Sequence, residues 1–181
     1  MSSGEGEEEI VWQGRFIAAK RRGKWEYVSR TRGVSAAAIL AIDEGHAILV
    51  EQYRVPVGAN CIELPAGLVG DEEEGEEVAV AAIRELEEET GYRAGRMVEV
   101  GKFHASPGMS SEGFTLLVAE GLERTGEGGG VAGEDIKVHR VPLAEVPAFV
   151  AAKRAEGAAV DVKLLLLLAA TVLQPFGAAG D

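Results

Sequence analysis

Gly70 to Tyr92, GDEEEGEEVAVAAIRELEEETGY, spells a tight loop, one amphipathic helix and a glycine stop. Gly75 and the acids around it open the helix, where negative charge suits the positive end of the macrodipole. Gly91 closes it as a left-handed C-cap. Successive helical residues rotate by about 100°. With Glu85 at zero, Val78, Ala82, Leu86, Ala79 and Ile83 fall between roughly 20° and 160°, a single apolar stripe. Glu89 falls at roughly 40° and Glu88 at roughly −60°. Glu85 and Glu89 therefore stand at the margin of the stripe, one turn apart, with Glu88 beside them. A solvated acidic face accounts for Glu72, Glu73, Glu74, Glu77 and Glu87. It does not account for Glu85 and Glu89, because two carboxylates beside a buried stripe repel each other unless a positive charge lies between them. A hard divalent cation such as Mg²⁺ accepts such oxygen ligands.

Gly70, Glu76, Arg84, Glu85, Leu86, Glu88, Glu89, Gly91 and Tyr92 together resemble the Nudix box, a glycine, a glutamate six residues on and then Arg-Glu-apolar-X-Glu-Glu-X-Gly-apolar. Every defining position matches, with seven fixed identities across 23 positions. The resemblance implies an α+β fold of the Nudix type, an α/β/α sandwich whose mixed sheet carries the box as loop-helix-loop. It also implies Mg²⁺, or Mn²⁺, held by Glu85 and Glu89 with Glu88 close by, acting on a diphosphate linked to another moiety. Metal ions neutralise and orient such a diphosphate and acidify a bound water.

Sequence outside the box resembles the ADP-ribose pyrophosphatase subfamily. The resemblance runs through EQYRVPVGANCIELPAGLVGDEE from Glu51, WEYVSR from Trp25, GEDIKVHRVPL from Gly133, and Pro107 standing 15 residues past Tyr92. It covers about residues 12 to 165. It implies the Ala66 carbonyl as a metal ligand and Arg54 on the diphosphate or the terminal ribose. Trp25, with Phe16, would stack on adenine, while Glu26 and Arg30 contact the nucleotide, from a second subunit if the strands exchange. Glu63, Pro107, Gly108 and Met109 would touch substrate. Glu134 would be the loop acid, acting as base or as support for the water or metal, with Glu88 and Arg84 as further catalytic candidates. In the family the N-terminal strands exchange within a homodimer, so a homodimer is expected here, acting on a nucleoside diphosphate sugar.

Composition sets outer bounds. The chain has 181 residues, enough for one domain with a core, of which 46% are hydrophobic and 27% charged. A net charge of −12 argues against a nucleic-acid groove, which needs a basic footprint. The single cysteine, Cys61, rules out an intrachain disulfide and suits a reducing cytoplasm. Residues 1–9 read as a disordered acidic tail with no signal peptide. The apolar run Leu164–Leu173 is too short to span a bilayer.

In chain order, Ile10–Ala19 and Lys24–Thr31 read as a pair of antiparallel strands around a Lys20–Gly23 turn, giving an N-terminal unit over 10–32 ahead of a domain over 33–175. Trp25 either forms a stacking platform or simply covers the core. Such a hairpin is marginal alone and must pack on this domain or on a partner subunit. Gly33–Ile42 and His46–Tyr53 flank a turn at Asp43-Glu44-Gly45. Ile62–Leu68 reads as one strand, bent because Pro65 cannot donate to a central ladder, with backbone carbonyls free near Ala66. Met97–Ala105, Gly113–Glu120 and Ile136–Val141 read as strands, and Val146–Ala155 and Val160–Leu173 as helices. Gly121–Gly133, which contains GEGGG, reads as a mobile loop suited to a lid, or as a plain surface loop.

The leading expectation is Mg²⁺-dependent hydrolysis of ADP-ribose to AMP and ribose 5-phosphate. Another nucleoside diphosphate sugar such as GDP-mannose is the alternative, since an aromatic stack accepts either purine. A non-catalytic Nudix sensor is disfavoured because no box carboxylate is missing.

Overall fold

Alternation along a single strand explains the layering. The computed structural model describes residues 6–31, 35–70, 76–131 and 133–177, with side chains through 173. β4 (Ser35–Asp43) turns Ala37, Ile39 and Ala41 to one face of the sheet and Ala38 and Leu40 to the other. The first face packs on Ala82 and Leu86 of α1 (Val78–Thr90). The second packs on α2 (Val146–Ala155) and α3 (Leu165–Gly177), through Val146, Val150 and Leu168. Two cores separated by one sheet make the α/β/α sandwich.

β5 (His46–Arg54) pairs with β4 at two positions, Asp43–His46 and Ile42–Ala47, and then the strands part. β6 (Ala59–Glu63) follows β5 antiparallel, while β7 (Ala66–Val69) crosses to β4. The predicted single strand Ile62–Leu68 is therefore two strands, and Leu64-Pro65 is the crossing between them. Pro65 has no N–H, yet its carbonyl accepts from Ile39 at 2.8 Å. β8 (Tyr92–His104) and β9 (Gly113–Arg124) are longer than the sequence suggests and pair antiparallel, with β9 parallel to β4. β10 (Lys137–Pro142) lies on the free edge of β5, and β11 (Ala159–Val160) runs parallel to β6.

Val160–Leu173 is not one helix. Asp161 ends β11 and caps a 3₁₀ turn, Val162–Leu164, by accepting from the Lys163 N–H at 2.8 Å, and α3 follows. No helix among the described residues is long and apolar enough to cross a membrane.

The N-terminal unit holds three strands rather than two. β1 (Glu9–Gln13), β2 (Ile17–Arg22) and β3 (Trp25–Arg30) form their own antiparallel sheet. A turn at Gly14–Phe16, closed by Gly14 N–H on the Ile17 carbonyl at 2.8 Å, splits the predicted first strand. Residues 1–5 of the predicted tail, and residues 32–34 at the predicted boundary, lie outside the described residues. Glu8 is tied to Lys20 at 2.7 Å and to Tyr27, and Glu9 pairs with Arg21 at 2.7 Å. The sheet docks on its own chain: Val28 donates to the Met109 carbonyl at 2.9 Å and accepts from Ser111 at 3.0 Å.

Candidate active site

The box helix starts at Val78 with Glu77 as N-cap and ends on Gly91 at φ 71°, the left-handed cap read from the sequence. The predicted helix opening at Gly75, and Glu72, Glu73 and Glu74, lie outside the described residues. Val80 faces solvent, whereas Glu89 is buried at 6% exposure, so the carboxylate is inside and not on a solvated face.

β7 brings its backbone against that helix. Ala38 faces Ala66 in the register, and the flanking Ile39–Pro65 pair is the hydrogen-bonded one. Ala38–Ala66 is thus a non-hydrogen-bonded pair, whose amide and carbonyl leave Ala66 on the side away from β4. The Ala66 N–H donates to Glu89 Oε2 at 3.0 Å. Next to it, Gly67 makes room for Glu85: a Cβ built on Gly67 would lie 2.1 Å from Glu85 Cγ.

A cleft of about 710 Å³ opens over this spot, lined by Ala66, Glu85 and Glu89, by Glu134 from the loop before β10, and by Arg54 and Glu63. Burial pushes the Glu89 carboxyl up to about 8; the Ala66 amide opposes this, and the charges of Glu85 and Glu134 add to it. Arg54 grips Glu63 with Nε on Oε1 at 2.6 Å and Nη2 on Oε2 at 2.9 Å. That fork holds the guanidinium at the cleft wall. Arg84 sits among the acids of α1, 3.2 Å from Glu85, 3.4 Å from Glu88 and 3.6 Å from Glu76. Neither Arg84 nor Glu88 lines the cleft.

Trp25, Tyr27 and Arg22 line a separate groove of about 370 Å³ against Pro107 and Gly108. The groove and the cleft share Ser110. Arg30 does reach the cleft, paired with Glu112 at 2.6 Å through Nε. Phe16, 65% exposed at the β1–β2 turn under Arg15, lines neither space. Nor does Glu26, which faces Arg21 across β2 and β3, or the Met109 side chain.

The family comparison adds its own result: residues 31–164 match the model of the NUDIX domain. This chain belongs to the Nudix family. It is 44% identical over 88 residues to an ADP-ribose pyrophosphatase of Bacillus subtilis (strain 168), covering 48% of this chain and 46% of that protein. It is 36% identical over 146 residues to a GDP-mannose pyrophosphatase of Cronobacter sakazakii, covering 76% and 72%. The chain thus spans about half the length of the Bacillus relative. The crystal structure of an ADP compounds hydrolase superposes with a TM-score of 0.68 over 94% of each chain at 24% identity, which shows a shared fold.

Nudix hydrolases use divalent metal, and the donor set here suits one. Its side-chain donors are hard carboxylate oxygens, and the charges of Glu85 and Glu134 both act on Glu89. Among the described residues no three His, Cys, Asp or Glu side chains already gather around one point. Glu88 pairs with Arg84 outside the cleft, while Glu85, Glu89 and Ala66 line it.

Four ionisable cleft residues, Cys61, Glu112, Asp161 and Lys163, were not among the candidates expected from the sequence of this Nudix chain. Burial first, then Glu63 and Asp161, push the Cys61 thiol up to about 11, so it is an inert wall. Lys163 pairs with Asp161 at 2.8 Å and lies over the Phe114 ring at 5.4 Å. The signal for Asp161 was present: an acid directly before an apolar run is an N-cap signature.

Proposed function

We propose that the chain hydrolyses the pyrophosphate bond of ADP-ribose in a Mg²⁺-dependent reaction, giving AMP and ribose 5-phosphate. The observation that carries this reading is the convergence of Glu85, Glu89 and Glu134 on one cleft beside Ala66, next to a Trp25 groove. Ala66, Glu85 and Glu89 hold the Mg²⁺ (or Mn²⁺), with Glu88 and Arg84 fixing the acids around them. When bound, the ion neutralises the diphosphate and lowers the pKa of a coordinated water. Glu134 takes the proton from the attacking water. The water oxygen bonds to one phosphorus, and the bridging oxygen leaves with the other phosphate. Arg54, aimed by Glu63, binds the diphosphate or the terminal ribose, and Arg30 the nucleotide. Trp25 stacks on the base, with Pro107 and Gly108 forming the other lip of its groove. Met109 acts through its carbonyl, which seats β3.

A homodimer belongs to this reading. Ile10, Val11, Trp12 and Phe16 are each more than half exposed on the N-terminal unit, apolar surface that a second copy would cover. Phe16 and Glu26 would meet substrate only across that interface.

GDP-mannose is the second reading, favoured by the Cronobacter relative, which aligns over 76% of this chain. Incubating purified protein and Mg²⁺ with both compounds, and separating the products by chromatography, decides between them. AMP from ADP-ribose at the higher kcat/KM supports the first reading, and preferred release of GMP supports the second. No nucleoside monophosphate from either overturns both. Glu134→Gln should lower kcat by roughly 10²–10⁴-fold, while Asp135→Asn, which does not line the cleft, stays mild.

A further inference from the structure

We propose that the glycine loop is a latch rather than a lid: Gly128 is a positioning residue that seats Glu134 on the end of α1, an inference that rests on the reading of Glu134 as the acid handling the attacking water. The last turn of a helix leaves carbonyls without intrahelical partners. Here the loop supplies them. Gly129 N–H donates to the Glu89 carbonyl at 2.9 Å and Gly130 N–H to the Glu88 carbonyl at 3.0 Å. Thr125 and Gly126 both donate to the Gly91 carbonyl, at 2.8 and 3.1 Å.

Such contact needs bare backbone. A Cβ on Gly128 would lie 2.4 Å from the Thr90 carbonyl carbon and 2.6 Å from the Glu89 oxygen. One on Gly91 would lie 2.4 Å from the Gly126 oxygen. Beyond the latch the Glu134 N–H donates to the Val131 carbonyl at 3.0 Å, and the Glu134 carboxylate accepts from the Val131 N–H at 3.1 Å. The same side chain rests against Gly130, where a Cβ would come within 2.5 Å of Oε2. Ile136 N–H closes back on the Gly129 carbonyl at 3.4 Å. Glu89 is thus tied to Gly129, Gly129 to Ile136, and Val131 to Glu134. The glycines serve close approach, and Glu134 is preset against Glu89 before substrate arrives.

Gly128→Ala tests this in a double-mutant cycle with Glu134→Gln, with steady-state kinetics at saturating Mg²⁺ and a thermal melt for each protein. A displaced acid is expected to lower kcat by up to about 10²-fold with KM unchanged. Because Gly128 acts through Glu134, the double variant should turn over within about twofold of Glu134→Gln alone. Gly45→Ala, at a left-handed φ of 76° with nothing within 4 Å, supplies comparable backbone strain elsewhere and should keep wild-type kcat. Gly130→Ala, whose Cβ would meet Glu134 and Ile136 first, replaces Gly128→Ala in the cycle if the latter does not fold. A slow Glu134→Gln beside a wild-type Gly128→Ala overturns the latch and leaves the proposed reaction standing. Effects that multiply in the double variant also overturn it, reducing Gly128 to general stability. A fully active Glu134→Gln removes the role of the acid itself, and the latch with it.

Discussion

Glu89→Gln isolates the electrostatic tension in the cleft. The substitution keeps the size of the side chain and an oxygen to accept from the Ala66 N–H, but removes the charge. In the metal-free protein the Glu89 carboxyl lies at about 8 against an ordinary 4.5. An acid raised on folding binds its proton more tightly in the native state. Its stabilisation is complete below the unfolded value and is lost as pH rises through the folded one. Between pH 5 and pH 8 that loss is on the order of a few kcal/mol, at about 1.4 kcal/mol per unit. Urea unfolding with chelator present, at pH 5, 6.5 and 8, measures it. The wild type should lose on the order of a few kcal/mol more stability over that span than Glu89→Gln does. Mg²⁺ at pH 8 should recover most of the loss in the wild type and little in the variant. Parallel pH profiles for the two proteins would refute the reasoning, because the proton would then not be held at Glu89.

Gly67→Ala should displace Glu85, since its Cβ would fall 2.1 Å from Glu85 Cγ; kcat should drop steeply while the melt reports an overpacking cost of about 1–3 kcal/mol. Arg54→Met leaves Glu63, 4% exposed, without its fork, and with the Arg54 side chain itself 42% exposed, denaturant unfolding should record a loss of about 1–3 kcal/mol. Trp25→Ala should raise KM with kcat little changed, by an equivalent of roughly 1–3 kcal/mol for a lost base stack. An unchanged KM for ADP-ribose in a folded protein would return Trp25 to a covering role.

What could be read from the chain beforehand followed the range of each signal. α1 was legible because an amphipathic repeat and a terminal glycine are local, and Gly91 indeed sits at φ 71°. The bend at Pro65 was legible because proline removes a donor whatever its surroundings. Which strands the two halves join was not, because pairing with β5 and then with β4 is decided by tertiary packing. The break at Gly14 was hidden by apolar residues continuing on both sides of it, Ile10–Trp12 and Phe16–Ile17. In the site, the box acids carried a recognisable spacing, whereas Glu112 and Lys163 are lone charges brought in by β9 and the C-terminal turn. The contacts of the glycine loop with α1 were not legible either. Composition speaks for freedom of the chain, and nothing in composition tells whether bare backbone is used to move or to pack.

The early parting of β4 from β5 has a mechanical side. Two residue pairs at the hairpin and the Pro65 crossing, riveted by Ile39, tie the half of the sheet made by β4, β7, β8 and β9 to the half made by β5, β6, β10 and β11. Arg54 and Glu63 stand on one side of this seam, Ala66, Glu85 and Glu89 on the other. A ligand in the cleft therefore works as a keystone, loaded from both flanks. Amide exchange should register it as protection spreading into β6 and β7 together, well beyond the atoms the ligand touches.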